Sequence, residues 1–166
     1  QVPRFVIGGN SLGGEIAWRV ATLARERVDR LVLVDATGPV FEPGNIPIGW
    51  RIARVPVLNR LLEEMLPRPL VAQGVVAVYG HPERVSSELV DRYFELTLRE
   101  GNRRALVERL AVWKPGADAE RIATLTLPTL ILWGGRDHLV PPVVGQTFAK
   151  AIAGSQLVVF DDLGHV

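Results

Sequence analysis

Apolar and polar positions follow two different rhythms along this chain, and the change of rhythm divides it. Four short apolar runs stand out: about Arg4 to Gly8, Leu31 to Ala36 (LVLVDA), Thr129 to Gly134 (TLILWG) and Gln156 to Phe160 (QLVVF). Runs of this length predict strands buried on both faces, as in a parallel sheet. After the first run, Ile16, Val20, Leu23 and Ala24 recur at helical spacing and predict a helix from Leu12 to about Arg25. Glu15 lies near its start and Arg25 and Arg27 near its end, as the helix dipole favours. A loop, GGRDHLVPP, follows the third run and leads into a further helix near Val143 to Ile152.

The middle of the chain keeps a different pattern. From Gly38 to about Pro56 it is rich in glycine and proline, and helices are then predicted near Leu58–Leu66, Pro69–Val78, Ser87–Glu100 and Asn102–Trp113. Ser86, before an amphipathic run with Glu88 in its first turn, is a helix start signal, and Pro56, Pro67, Pro82 and Pro115 punctuate the block. Strands alternating with helices on either side argue for an α/β fold whose four parallel strands are joined by right-handed crossovers. The division that follows is a first core part at 1–38, an all-helical cap insertion at 39–116, and a second core part at 117–166.

Composition narrows the function classes. A chain of 166 residues, 48% hydrophobic and 22% charged, is ordinary for a soluble domain with a real core. Its 19 basic and 18 acidic residues leave a net charge of +1, so no electrostatic argument favours nucleic acid or an anionic membrane as partner. The arginines of DRYFELTLREGNRRALVER stand beside carboxylates and read as a solvated helix face. There is no cysteine, which excludes disulfides, zinc thiolate sites and a cysteine nucleophile. A reducing compartment fits, and a cytoplasmic location is the expectation. No apolar run approaches the roughly 18 residues of a membrane span.

Chemistry gathers where strands of a parallel sheet end. The loops after strands one, three and four carry Ser11, Asp137 and His165. Gly9-Asn10-Ser11-Leu12-Gly13 matches G-x-S-x-G and lies between a predicted strand and a predicted helix, the setting of a nucleophile elbow. In such a strained turn the residues two away must be small. Gly9 and Gly13 meet that need, and Gly14 lets the helix cross the strand closely. The helix N-terminus would aim the Leu12 N–H at a developing oxyanion.

A serine hydroxyl needs a histidine base, and the histidine needs a carboxylate to fix its tautomer. Asp137 is the best-placed carboxylate, although its Arg-Asp-His setting could also be a simple turn. Asp35, at the end of strand two, is the rival. Of the three histidines, His81 reads as a surface turn residue before Pro82 and His138 would point away from Asp137. His165, in a Gly-His pair after the last strand, is the candidate base.

GGNSLGG, LVLVDA, LPTLILWGGRDHLVP and LVVFDDLGHV, in this order and spacing, resemble the α/β-hydrolase superfamily over essentially the whole chain. The resemblance implies a partial α/β-hydrolase fold with Ser11 as nucleophile, Asp137 as acid, His165 as base and Leu12 N–H as one oxyanion donor. GNSLGG also resembles the elbow of carbon–carbon bond hydrolases of ring-cleavage products. A serine at position 11 argues against the branches that use a carboxylate nucleophile. The expected activity is hydrolysis of carboxylic esters of apolar or aromatic substrates, without metal or organic cofactor. The alternatives are carbon–carbon bond hydrolysis of a ketone substrate, or a non-catalytic ligand-binding protein of the same fold.

Asn10, Phe41, Trp50, Tyr79 and Trp113 are the candidate substrate-contacting residues, with cap core as the simpler reading of the aromatic ones; Leu70 is a further wall candidate. Family members have strands before the elbow, one loop of which supplies a second oxyanion N–H. On that comparison the chain is expected to be a piece cut at both ends, weak or inactive as a catalyst, and prone to self-association through an exposed sheet edge.

Overall fold

The computed structural model describes residues 2–41, 48–53, 55 and 58–166, the side chain of residue 58 aside. Two compact units emerge, one of Gln1–Gly44 with Pro115–Val166 and one of Asn45–Lys114.

The first unit is built on a four-stranded parallel sheet. Strands β1 (Phe5–Asn10), β2 (Val28–Val34), β3 (Thr129–Gly134) and β4 (Gln156–Phe160) lie side by side in chain order. Helix α1 (Leu12–Leu23) joins β1 to β2, and α7 (Pro142–Ala151) joins β3 to β4. Ahead of β3 runs a 3₁₀ turn at Ala119–Thr124 that the sequence pattern does not reveal. β1 continues two residues beyond the expected end, up to the serine itself. β2 begins three residues earlier than expected and stops before Asp35.

Burial on both faces is not what the strands show. Leu31, Leu33, Ile131 and Trp133 are buried, while the residues between them, Val32, Val34, Leu130 and Leu132, are half-buried. The reason lies in the helices. Trp18 of α1 and Phe148 of α7 both close on Gly38, where an added Cβ would come within 2.6 Å of the Phe148 ring and 2.9 Å of the Trp18 nitrogen. Both helices therefore pack on one face. Two buried indoles anchor this layer with their polar ends satisfied: Trp18 donates to the Thr37 carbonyl at 3.0 Å and Trp133 to that of Val140 at 3.0 Å. Gly145 of α7 lies flat on the Trp133 ring, with no room for a methyl group.

The second unit is all helical. It contains α2 (Ile48–Ala53), α3 (Leu58–Glu64), α4 (Arg68–Val78), α5 (Ser87–Leu98) and α6 (Asn102–Val112). Ser86 caps α5 by accepting the Leu89 N–H at 3.2 Å, as its start signal implies. Helix α2 falls within the glycine- and proline-rich stretch read as irregular. Trp50 and Leu62 pack against Ala53, Val107 and Leu110, and this tertiary contact stabilises a six-residue helix that propensity alone would not. Pro56 lies outside the described residues.

Phe148 is fully buried and Val143, the second residue of the same helix, is 57% exposed. Phe148→Ala should lower the unfolding free energy by about 3–5 kcal/mol. Val143→Ala should change it by no more than about 0.5 kcal/mol. Urea melts of the two variants test this, and equal effects would contradict the placement of the core.

Candidate active site

The elbow follows from two glycines and one strained residue. Ser11 has φ 54° and ψ −119°, a backbone that a side chain seldom adopts. It sits at the N-cap of α1, yet its hydroxyl makes no capping bond, although capping is the usual work of a serine there. The turn is pinned by its main chain: Ser11 N–H donates to Val34 O at 2.9 Å, and Ser11 O accepts from Glu15 and Thr37. A Cβ on Gly9 would stand 2.2 Å from the Gly13 carbonyl carbon, and one on Gly14 2.4 Å from the Ala36 Cβ. Gly13 differs from the expectation. A Cβ there would meet nothing within 4 Å, so this position contributes its nearby backbone, not its lack of a side chain.

Asp137 and His165 meet. His165 Nδ1 and Asp137 Oδ2 are 2.7 Å apart, with both residues buried. The other carboxylate oxygen, Oδ1, accepts the N–H groups of Leu139 and Val140 at 2.8 Å each. Asp137 thus fills its turn role and its histidine-orienting role with different oxygens. His165 is held by the chain before it. Arg136 N–H donates to Leu163 O and Gly135 N–H to Phe160 O, both at 2.8 Å. A Cβ on Gly134 would lie 2.1 Å from the Gly164 oxygen, so only glycine lets the terminal segment lie on the end of β3.

Asn10 has a framework role that the sequence does not announce. Its side-chain amide donates to Val34 O at 3.3 Å and His165 O at 3.1 Å, tying the histidine segment to the elbow strand. Among the described residues no hydrogen bond joins Ser11 Oγ to His165. His138 is exposed. His81 is less exposed than a surface turn residue, its side chain 17% accessible and its Nδ1 2.7 Å from Glu83. Trp50, Tyr79 and Trp113 belong to the helical unit and Phe41 to the sheet unit. Trp50 and Leu70 line an apolar cavity of about 230 Å³ inside the helical unit, with Tyr93, Thr97 and Arg103 as its polar groups.

A third buried group joins the acid and the histidine. Asp35 is 4% exposed, and its Oδ1 accepts the Gly134 N–H at 2.8 Å. Burial pushes its carboxyl from the ordinary 3.8 up to about 7, with the Gly134 amide opposing and the Asp137 charge adding to the rise. One atom each from Asp35, Asp137 and His165 lies within 4.8 Å of the others, a spacing that a cation would also accept. Asp137 is already engaged by the imidazole and two amides.

Residues 1–166 match the family described as alpha/beta hydrolase fold. The chain belongs to this family. Among curated alpha/beta hydrolase relatives it is 26% identical to Lipase 3 of Moraxella sp. (strain TA144), covering 96% of this chain and 50% of the lipase. It is 29% identical to 2-hydroxymuconate semialdehyde hydrolase of Pseudomonas sp. (strain CF600), covering 99% of this chain and 56% of that enzyme. Among solved structures it superposes on a meta-cleavage product hydrolase from Pseudomonas fluorescens IP01 with a TM-score of 0.78 and 25% identity. That match covers 99% of this chain and 58% of the other. The chain spans about half the length of the curated relatives it matches. Those relatives are hydrolases, and the chain is of an enzyme family. No helix among the described residues is long and apolar enough to cross a membrane.

Two measurements check this geometry. Gly9→Ala should cost about 1–3 kcal/mol or prevent folding, because the methyl meets backbone. Gly13→Ala should be neutral or stabilise by about 0.5–1 kcal/mol, as alanine for glycine does in an open helical position. For Asp35, the folded carboxyl keeps its proton up to about pH 7 whereas the unfolded one releases it near 3.8. The native state therefore holds the extra proton between those values, and stability falls as pH rises across them. Asp35→Asn should remove that fall and exceed the wild type by up to roughly 4 kcal/mol at pH 8. Thermal melts from pH 4 to 8 read the difference.

Proposed function

We propose that the chain carries the catalytic residues of a serine hydrolase acting on carboxylic esters with apolar or aromatic groups. The observation that carries this reading is Ser11, held in a strained backbone with its hydroxyl unused for capping, at the same sheet end as a buried histidine–carboxylate pair. Ser11 Oγ attacks the ester carbonyl and passes its proton to His165. The Asp137 carboxylate on Nδ1 leaves the other ring nitrogen to act as base and stabilises the imidazolium. The Leu12 N–H, first in α1, supports the oxyanion. The alcohol departs with the proton from His165, and water, activated by the same histidine, then releases the acid. Lipase 3 among the relatives supports ester chemistry.

A second reading is favoured by one observation, the likeness to 2-hydroxymuconate semialdehyde hydrolase and to the meta-cleavage product hydrolase. In it the same residues cleave a carbon–carbon bond next to a ketone. We propose Phe41, Trp50, Tyr79 and Trp113 as substrate-contacting residues in either case, a cytoplasmic location, and self-association through β1. That strand pairs only with β2 among the described strands and leaves Val6 59% exposed.

Steady-state hydrolysis of a series of p-nitrophenyl esters, against a ring-cleavage dienoate, separates the two readings. Ester turnover should exceed dienoate turnover and fall by about 1,000-fold or more in Ser11→Ala. Dienoate turnover alone would select the second reading, and equal rates in the wild type and Ser11→Ala would exclude both.

A further inference from the structure

Asp35 is an unusual residue to find where it stands. Its φ of 44° lies in the left-handed region, and its carboxyl is buried against another carboxyl. Two bare carboxylates offer only acceptors, and with oxygens of Asp35 and Asp137 within 4.8 Å of one another a hydrogen bond between them requires a proton on one of them. Counting donors shows which. Asp137 accepts from Leu139 N–H, Val140 N–H and the His165 ring, whereas Asp35 accepts from Gly134 N–H. The carboxyl with more donors keeps the charge, and the other keeps the proton.

We propose that Asp35 is a positioning residue of the site: its carboxyl donates a hydrogen bond to Asp137, holds that carboxylate against the His165 ring, and couples its own proton to that pair. This rests on the Ser11–His165–Asp137 reading above. The charged groups acting on Asp35 are Asp137, from the loop after β3, and His165, from the terminal segment; among the described residues none from β1 or α1 does so. Burial holds the Asp35 proton up to about pH 7. The Asp35 carboxyl thus ionises beside the histidine–carboxylate pair, and its change of charge is felt at that pair.

The test compares the wild-type chain with Asp35→Asn and Asp35→Ala in two readouts. One is the rate of Ser11 modification by a fluorophosphonate from pH 5 to 9. The other is carbon-13 NMR of the aspartate carboxyl carbons over the same range. The wild type should show an aspartate carboxyl titrating near pH 7, absent from Asp35→Asn, and a modification rate that changes with that same ionisation. Asp35→Asn should lack that change, because a carboxamide still accepts from Gly134 and donates to Asp137 but does not titrate. Asp35→Ala should react about tenfold more slowly at pH 7, as expected for one lost hydrogen bond. An Asp35 carboxyl that titrates near 4, or superposable profiles for the wild type and Asp35→Asn, would overturn the proposal. Should Ser11 not react in any of the three, the serine reading fails, while the carboxyl resonance still decides whether Asp35 holds the proton.

Discussion

The terminal segment lies against the end of β3, and the position of His165 depends on that contact. Gly134 and Gly135 leave the backbone of residues 161–164 room to approach within distances that a Cβ would forbid. Once there, the segment is fastened by Gly135 N–H to Phe160 O and Arg136 N–H to Leu163 O. The imidazole that follows is then within 2.7 Å of Asp137, whose second oxygen is tied to the loop that begins the next helix. Main-chain hydrogen bonds thus orient a side-chain pair, which keeps the pair in register without relying on flexible contacts.

The elbow is built by a similar economy of space. Gly9 lets the first turn of α1 fold back over β1, and Gly14 lets that helix approach Ala36. Ser11 absorbs the strain of the reversal, and its hydroxyl is left out of the local hydrogen bonding. Asn10 then joins the two assemblies by donating to the His165 carbonyl. Asp35 completes the cluster from the end of β2, buried beside Asp137, where low solvation raises the pKa of its carboxyl. Strand order does the rest, since β1, β2 and β3 are adjacent and parallel and their carboxyl ends deliver these residues to one edge.

Much of this was legible because parallel sheets impose it. Apolar runs marked all four strands, and the last residue of each pointed to the loops that hold Ser11, Asp137 and His165. Residues far apart in sequence were harder to connect. The Asn10–His165 tie spans 155 positions and leaves no local pattern. Helix α2 forms in a glycine- and proline-rich stretch because Trp50 packs against neighbouring helices, a tertiary effect that propensity does not report. The G-x-S-x-G pattern treats its two glycines alike, while the structure needs the absent side chain only at Gly9. Asp35 was visible as a rival acid, but its proton depends on burial and on donor counts that only the fold supplies.

The proposed chemistry stands or falls with Ser11 as a nucleophile activated by His165. Mass spectrometry of the purified chain after fluorophosphonate treatment, with the modified peptide mapped, tests it most directly. The expected result is a single adduct on Ser11 that disappears in His165→Ala while both proteins remain folded by circular dichroism. A folded wild-type chain that takes up no reagent, or an adduct on Ser11 that forms equally well without the histidine, would contradict it.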